Sequence, residues 1–215
     1  MTEVIIVSEG QLLRNIEVQA GQKTDMLLLV MPGVSCDIRL DVRLAGEGAE
    51  ANVYGAYVCG GQEKVKIAVD MRHDVPYCNS RQLFKGIAGG DSRVDFYGKI
   101  IVAQDAQRTE AYQENHNILL SDGARVDTKP QLEIYADDVK CSHGSTVGQL
   151  DENALFYMQQ RGIPADEARH LLMYAFAGEV IESIRIEALR DRLHMLVEKR
   201  LRSELNHCKR CAMCK

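Results

Sequence analysis

The chain has 215 residues, a length that suits one domain of ordinary size or one domain with a small appendage. It carries 26 Lys and Arg against 31 Asp and Glu, a formal net charge of −5, which argues against a general nucleic-acid binder. Hydrophobic residues make up 46% and charged residues 27%, as in ordered globular domains. No apolar run approaches a membrane span and the first residues lack signal-peptide features, so we expect a cytoplasmic protein without a membrane partner.

Short strand patterns separated by glycine-containing turns fill the first 150 residues. The clearest is Cys36–Leu44, where apolar and polar residues alternate, as in a strand with one buried face. Other candidates are residues 4–7, 26–30, 52–59, 65–69, 93–96, 99–102, 117–120, 131–135 and 139–141. Little between them could form a helix, so the pattern suits a sandwich, a barrel or a β-solenoid, and we favour the solenoid.

The pattern becomes helical after residue 150. Residues 151–161 have helix formers with an apolar face, and Gly162 follows as a stop signal. Pro164 suits the first turn of a second helix, whose apolar residues recur at spacings of three and four from Ala168 to Ile184 and include Leu171 and Phe176. A further periodic stretch covers 189–205. We therefore predict a β domain over 1–150, a helical segment over 151–206 and a cysteine-rich tail over 207–215, with His170 and His194 on helix surfaces.

One stretch is more specific than any periodicity. Residues 127–148 contain Cys141-Ser142-His143-Gly144, and further landmarks are Phe84-Lys85-Gly86, Gln113-Glu114-Asn115 and Tyr174-Ala175-Phe176. Together they resemble the core signature of the SufB/SufD family of the SUF iron–sulfur cluster assembly system, and they are more similar to its SufD members than to its SufB members. The resemblance covers about half of the chain, which is shorter than typical members.

The resemblance implies a fold and a set of partners. The fold is a mainly β, right-handed parallel β-helix followed by C-terminal helices. The partners are a SufC-type ATPase, which docks on the helical end, and either a SufB-like subunit or a second copy of this chain as a homodimer. Clusters would form between the two β-helix subunits. The family's motif histidine carries over to His143, and by approximate alignment His116 stands where SufB has a cysteine.

Cys141 and His143 form the first candidate site. Residues two apart on a strand point to the same side, and thiolate and imidazole both bind iron, so the pair could hold iron or a cluster edge. The alternative is structural: a buried cysteine that fills the coil and a histidine bonded to backbone.

The tail is the second candidate site. Cys208, Cys211 and Cys214 have a spacing that lets a short loop wrap thiolates around one ion, iron or zinc, or a cluster, with His207 as a possible fourth ligand. The alternative is a metal-free terminus. Cys36, Cys59 and Cys78 show no ligand spacing and are predicted to be structural.

The resemblance, together with the two candidate sites, implies a non-enzymatic assembly subunit that holds a transient iron–sulfur cluster and acts with a SufC-type ATPase. A second interpretation is an interaction-only module that shapes the complex without binding metal. A β-solenoid enzyme is disfavoured because no catalytic grouping of carboxylates or calcium ligands is found, and the sequence lacks a Walker-type phosphate loop.

Overall fold

Eleven parallel strands wind into a β-solenoid over the part of the chain that the computed structural model describes, namely residues 2–7, 10–30, 33–182, 190, 191, 194, 195, 197 and 198. The strands are β1 (Thr2–Val7), β2 (Gln11–Val18), β3 (Lys23–Val30), β4 (Cys36–Leu44), β5 (Glu50–Cys59), β6 (Lys64–His73), β7 (Asn79–Ala88), β8 (Arg93–Val102), β9 (Glu110–Leu119), β10 (Arg125–Ile134) and β11 (Lys140–Gly148). The predicted parallel β-helix is confirmed.

The strands form two sheets that enclose one interior. The odd sheet has the order β1-β3-β5-β7-β9-β11, and the even sheet has the order β10-β8-β6-β4-β2. Each turn adds one strand to each sheet, giving about five turns. Register partners lie 27 residues apart for Lys23 and Glu50 and 30 apart for Glu110 and Lys140, so no strict sequence repeat results.

Side chains that alternate along each strand fill the interior. Along β4 every second residue is buried, as the alternation in its sequence predicts. The rings of Phe84 and Phe96, from opposite sheets, meet there with centroids 4.9 Å apart. Each such buried side chain contributes roughly 1.5–3 kcal/mol of hydrophobic free energy. This apolar interior, together with the strand ladders, holds the turns in register.

Two of the predicted strand assignments differ in their bounds from the structure. Residues 93–96 and 99–102 both belong to β8, with Gly98 between them. Of the predicted strand 131–135, residues 131–134 form the end of the longer strand β10, which also contains Pro130. Proline is tolerated because β10 is an edge strand, which among the described strands pairs with β8 alone.

Two helices follow the solenoid. Helix α1 spans Glu152–Gln160, and the Asp151 side chain caps it by accepting hydrogen bonds from the backbone N–H groups of Asn153 and Ala154. It ends at Gly162, whose φ of 85° lets the chain leave the helix. Helix α2 spans Ala165–Glu182. Most of the predicted helix over 189–205 lies outside the described residues.

Helix α2 packs on the outer face of the odd sheet. Its residues Met173, Ala177, Val180 and Ile181 are buried against outward-facing apolar residues of β3, β5 and β7. The buried face differs from the apolar face that the sequence predicts, because Leu171 is exposed and Phe176 is only partly buried. The predicted surface position of His170 is wrong, because this side chain is 2% exposed. No described helix is both long and apolar enough to cross a bilayer.

Candidate functional site

Strand β11 carries the Cys141–His143 pair at the last turn of the described solenoid. Cys141 is register partner to Ala111 and His143 to Gln113, and both of these β9 residues are buried in the interior. Cys141 and His143 therefore lie on the interior-facing side of β11, as the two-residue spacing predicts. β11 is the last strand of its sheet among the described residues, so this side is partly open to solvent.

The two side chains have different environments. Cys141 is half-buried and packs against the interior apolar cluster. Burial raises the pKa of its thiol, so the thiol stays protonated near neutral pH until a metal or a cation stabilises the thiolate. His143 is exposed, and no described residue hydrogen-bonds or ion-pairs with it. The pair thus offers one shielded sulfur and one accessible imidazole.

His116 lies on the other face of the odd sheet. Its neighbours Asn115 and Asn117 are buried in the interior, so His116 points outward. Its Nδ1 is 2.9 Å from Oγ1 of its register partner Thr146. The structure therefore brings Cys141 and His143 together but separates His116 from them by the thickness of the sheet.

The described residues supply few metal ligands in one place. No group of three or more His, Cys, Asp or Glu side chains that could hold an ion occurs among them. The other predicted ligands, His207, Cys208, Cys211 and Cys214, lie outside the described residues. Cys36, Cys59 and Cys78 are buried. Of the residues predicted as ligands, the described part therefore brings together only Cys141 and His143 of β11.

Polar side chains in the solenoid interior were missed at the sequence level. The Tyr57 hydroxyl donates to Asn117 Oδ1 at 2.5 Å and accepts from Asn115 Nδ2 at 3.0 Å, while Asn117 Nδ2 donates to Asn115 Oδ1 at 2.7 Å. Gln82 and Gln113 are also buried. The sequence of β9 carried a signal for them, because polar residues occur at both its odd and its even positions. A strand with one buried face has polar residues at alternate positions only.

Helix α1 carries an exposed aromatic surface. The apolar face that the sequence predicts for residues 151–161 is not buried in the structure. Phe156 is 61% exposed and Tyr157 is 58% exposed, and no α1 residue is buried. The Arg161 guanidinium lies 4.9 Å from the Tyr157 ring centroid. Exposed aromatic side chains with an adjacent Arg have the composition of protein interfaces.

Comparison with known proteins gives one family. The family model described as "SUF system FeS cluster assembly, SufBD core domain" matches residues 14–176, which run from within β2 to within α2. The matched region contains Cys141, His143 and His116.

Several curated proteins are similar to the chain. SufD of Escherichia coli is 47% identical over 131 residues, covering 61% of this chain and 31% of that protein. An iron–sulfur cluster assembly SufBD family protein of Synechocystis is 46% identical over 125 residues, covering 58% and 28%. One of Mycobacterium leprae is 32% identical over 183 residues, covering 81% and 47%. The chain thus spans between about a quarter and half of the lengths of these relatives.

Proposed function

The chain belongs to the SufBD family of the SUF system for iron–sulfur cluster assembly, and from this premise we propose that it is a SufD-like scaffold subunit that acts with a SufC-type ATPase. Its role is assembly rather than catalysis. The ATPase supplies the energy, and this chain presents ligands to a nascent cluster at a subunit interface. The observation that carries the proposal is the Cys141–His143 pair on the open, interior-facing side of β11.

The pair supports transient cluster binding because it is incomplete. An iron ion wants about four ligands, and β11 supplies two. The remaining ligands come from cluster sulfides or from a second subunit. A two-ligand site holds a nascent cluster weakly enough for transfer. Iron binding stabilises the thiolate of Cys141 and so overcomes the raised pKa that burial gives the free thiol.

The second subunit is proposed to dock at the last turn. β11 pairs only with β9 and β10 only with β8, so each presents one unpaired backbone edge among the described strands. Such edges accept further strands. A SufB-like subunit or a second copy of this chain that pairs there would cover His143 and bring its own ligands to the same place.

The ATPase is proposed to dock on α1. Phe156 and Tyr157 form an exposed aromatic surface on a helix that buries none of its residues. Helix α2, which packs on the odd sheet, connects this surface to the solenoid. A movement of the ATPase can therefore be transmitted through α2 to the β-helix.

The test is cluster formation in the assembled complex. The chain is co-expressed with a SufC-type ATPase and a SufB-like subunit, purified anaerobically, and assayed for iron, sulfide and visible absorption. His143→Ala should lower cluster yield at least several-fold without changing complex stoichiometry. His116→Ala is the matched control, since His116 faces the other side of the sheet. An unchanged yield with His143→Ala would overturn the assignment of this site.

The exposed aromatic surface of α1 and the open edges of β10 and β11, which need no metal to bind a partner, also fit a second candidate function. In it, the chain shapes the complex and holds no metal. The same experiment separates the two candidates, because an interaction-only module predicts wild-type cluster yield for both histidine variants.

A further inference from the structure

A column of polar side chains runs along the interior of the odd sheet and ends at His143. Strand register places Gln82 of β7, Gln113 of β9 and His143 of β11 at one level of the sheet. Val53 of β5 occupies that level one turn before Gln82. Neighbouring strands are about 4.8 Å apart, so side chains at one level stack on one another. The Gln113 side chain is therefore the interior neighbour of His143.

The two glutamine amides have no partner for their polar atoms. Gln82 is 0% exposed and Gln113 is 1% exposed, and both Nε2 and Oε1 of each lack a hydrogen bond to any described residue. An unpaired buried polar group costs about 1–3 kcal/mol. Val53 shows that an apolar side chain fills the same level of the column without this cost.

The even sheet makes room for the Gln113 amide. Gly98 of β8 lies across the interior, and a β-carbon at residue 98 would overlap Nε2 of Gln113. The Gln113 amide therefore occupies space that only a residue without a side chain leaves free at position 98. The other interior amides nearby, Asn115 and Asn117, are already hydrogen-bonded to each other and to Tyr57.

A histidine that binds a metal through one ring nitrogen usually donates its other ring N–H to an oxygen acceptor, which fixes tautomer and orientation. His143 has no such acceptor among its described contacts, and the amide beside it has an unpaired oxygen. We propose that Gln113 is a positioning residue for His143: on rotation of the two side chains, its unpaired Oε1 accepts the ring N–H that does not face iron. This inference rests on the proposed function, in which His143 is a ligand.

The experiment reads the imidazole directly in the full, metal-free chain. The protein is labelled with ¹⁵N-histidine, and the His143 ring is assigned with His143→Ala and followed by two-bond ¹H–¹⁵N spectra. The wild type should show one dominant neutral tautomer of His143. Gln113→Met should convert it to an averaged tautomer pattern. Gln82→Met, the same substitution one turn further away, should keep the tautomer pattern of the wild type.

Methionine has a similar volume and leaves the interior filled, so both variants are expected to fold. If Gln113→Met does not fold, Gln113→Asn replaces it, since its shorter amide cannot reach the same position. An averaged pattern in the wild type, or equal changes in the two methionine variants, would overturn the proposal. The proposed function fails separately, if His143→Ala leaves cluster yield unchanged while the tautomer still depends on Gln113.

Discussion

Lys85 of β7 forms an ion pair with Glu179 of α2, and its amine lies 4.6 Å from the Phe176 ring centroid. The Lys85 side chain is only 9% exposed, whereas that of Glu179 is 59% exposed. The buried ammonium thus has its counter-ion on the helix, which ties α2 to the odd sheet at the level where Lys85 and His116 are register partners.

Glu179→Gln should lower the free energy of unfolding by about 1–3 kcal/mol, because it leaves the Lys85 ammonium buried without a carboxylate. The value lies below that of a fully buried pair because solvent screens Glu179. Urea denaturation measures the loss. Glu114→Gln is the matched control, since Glu114 and Arg81 form an exposed pair at 3.9 Å worth below about 1 kcal/mol. Equal losses in the two variants would contradict this prediction.

The stability of the solenoid should depend on pH through His73. This residue is fully buried at the end of β6, with Nε2 2.8 Å from Ser80 Oγ. Burial lowers its pKa from 6.5 to about 4. Between these two pH values the unfolded chain binds a proton that the folded chain does not. The contribution of neutral His73 to the free energy of unfolding is therefore fully present above about pH 6.5 and is lost as pH falls toward 4. The shift corresponds to about 3 kcal/mol.

The measurement is urea unfolding from pH 7 to pH 4.5. His73→Gln should be less stable at pH 7 but should lose less free energy on acidification than the wild type. His143→Gln is the control for the substitution itself, because His143 is exposed. An acid loss of stability that is identical in wild type and His73→Gln would refute the assignment.

Local patterns allowed much of this structure to be predicted. The alternation in β4 and the Gly162 stop each depend on near neighbours in sequence, and the structure has both. The spacing of Cys141 and His143 likewise placed both on one side of a strand without knowledge of the fold. These features depend on backbone geometry within one element, which a single sequence specifies.

Contacts between turns could not be predicted in the same way. The stacking of Gln82, Gln113 and His143 depends on corners of unequal length, which make the offset between register partners vary. The buried face of α2 depends on the sheet beneath it, because apolar residues occur on more than one side of this helix. Sequence periodicity alone therefore placed His170 on the surface, whereas packing on the odd sheet buries it.

The free-energy cost of replacing Gly98 should depend on the side chain at position 113. Gly98→Ala places a β-carbon on the Gln113 amide and should cost about 1–3 kcal/mol, the usual cost of overpacking. In a Gln113→Ser background the same substitution should cost clearly less, since the shorter side chain leaves space. Gly144→Ala, where no atom lies within 4 Å of the added carbon, is the control. Additive effects in the double-mutant cycle would show that the two residues do not interact.

Binding of the ATPase should depend on the aromatic surface of α1. Phe156→Ser removes an exposed ring from the docking surface and should weaken binding of a SufC-type ATPase at least tenfold, as expected for a central interface aromatic. Leu13→Ser on β2 is the matched control, because Leu13 and Phe156 are each 61% exposed and Leu13 lies on the even sheet. Both variants should fold like the wild type. Equal affinities of wild type and Phe156→Ser in titration calorimetry would place the ATPase elsewhere.

The cysteine-rich tail should bind metal in the isolated chain, unlike the β11 site. Cys208, Cys211 and Cys214 are close enough in sequence to converge on one ion, with His207 as the fourth ligand, so no second subunit is needed. Replacing the three cysteines by Ser should therefore remove about one equivalent of iron or zinc after anaerobic reconstitution of the chain alone. Cluster formation in the assembled complex should stay intact, because it depends on His143. Cys59→Ala, which removes a buried thiol, is the control and should keep full metal content. Equal metal content in wild type and the triple Ser variant would rule out the tail as a metal site and leave it as a metal-free terminus.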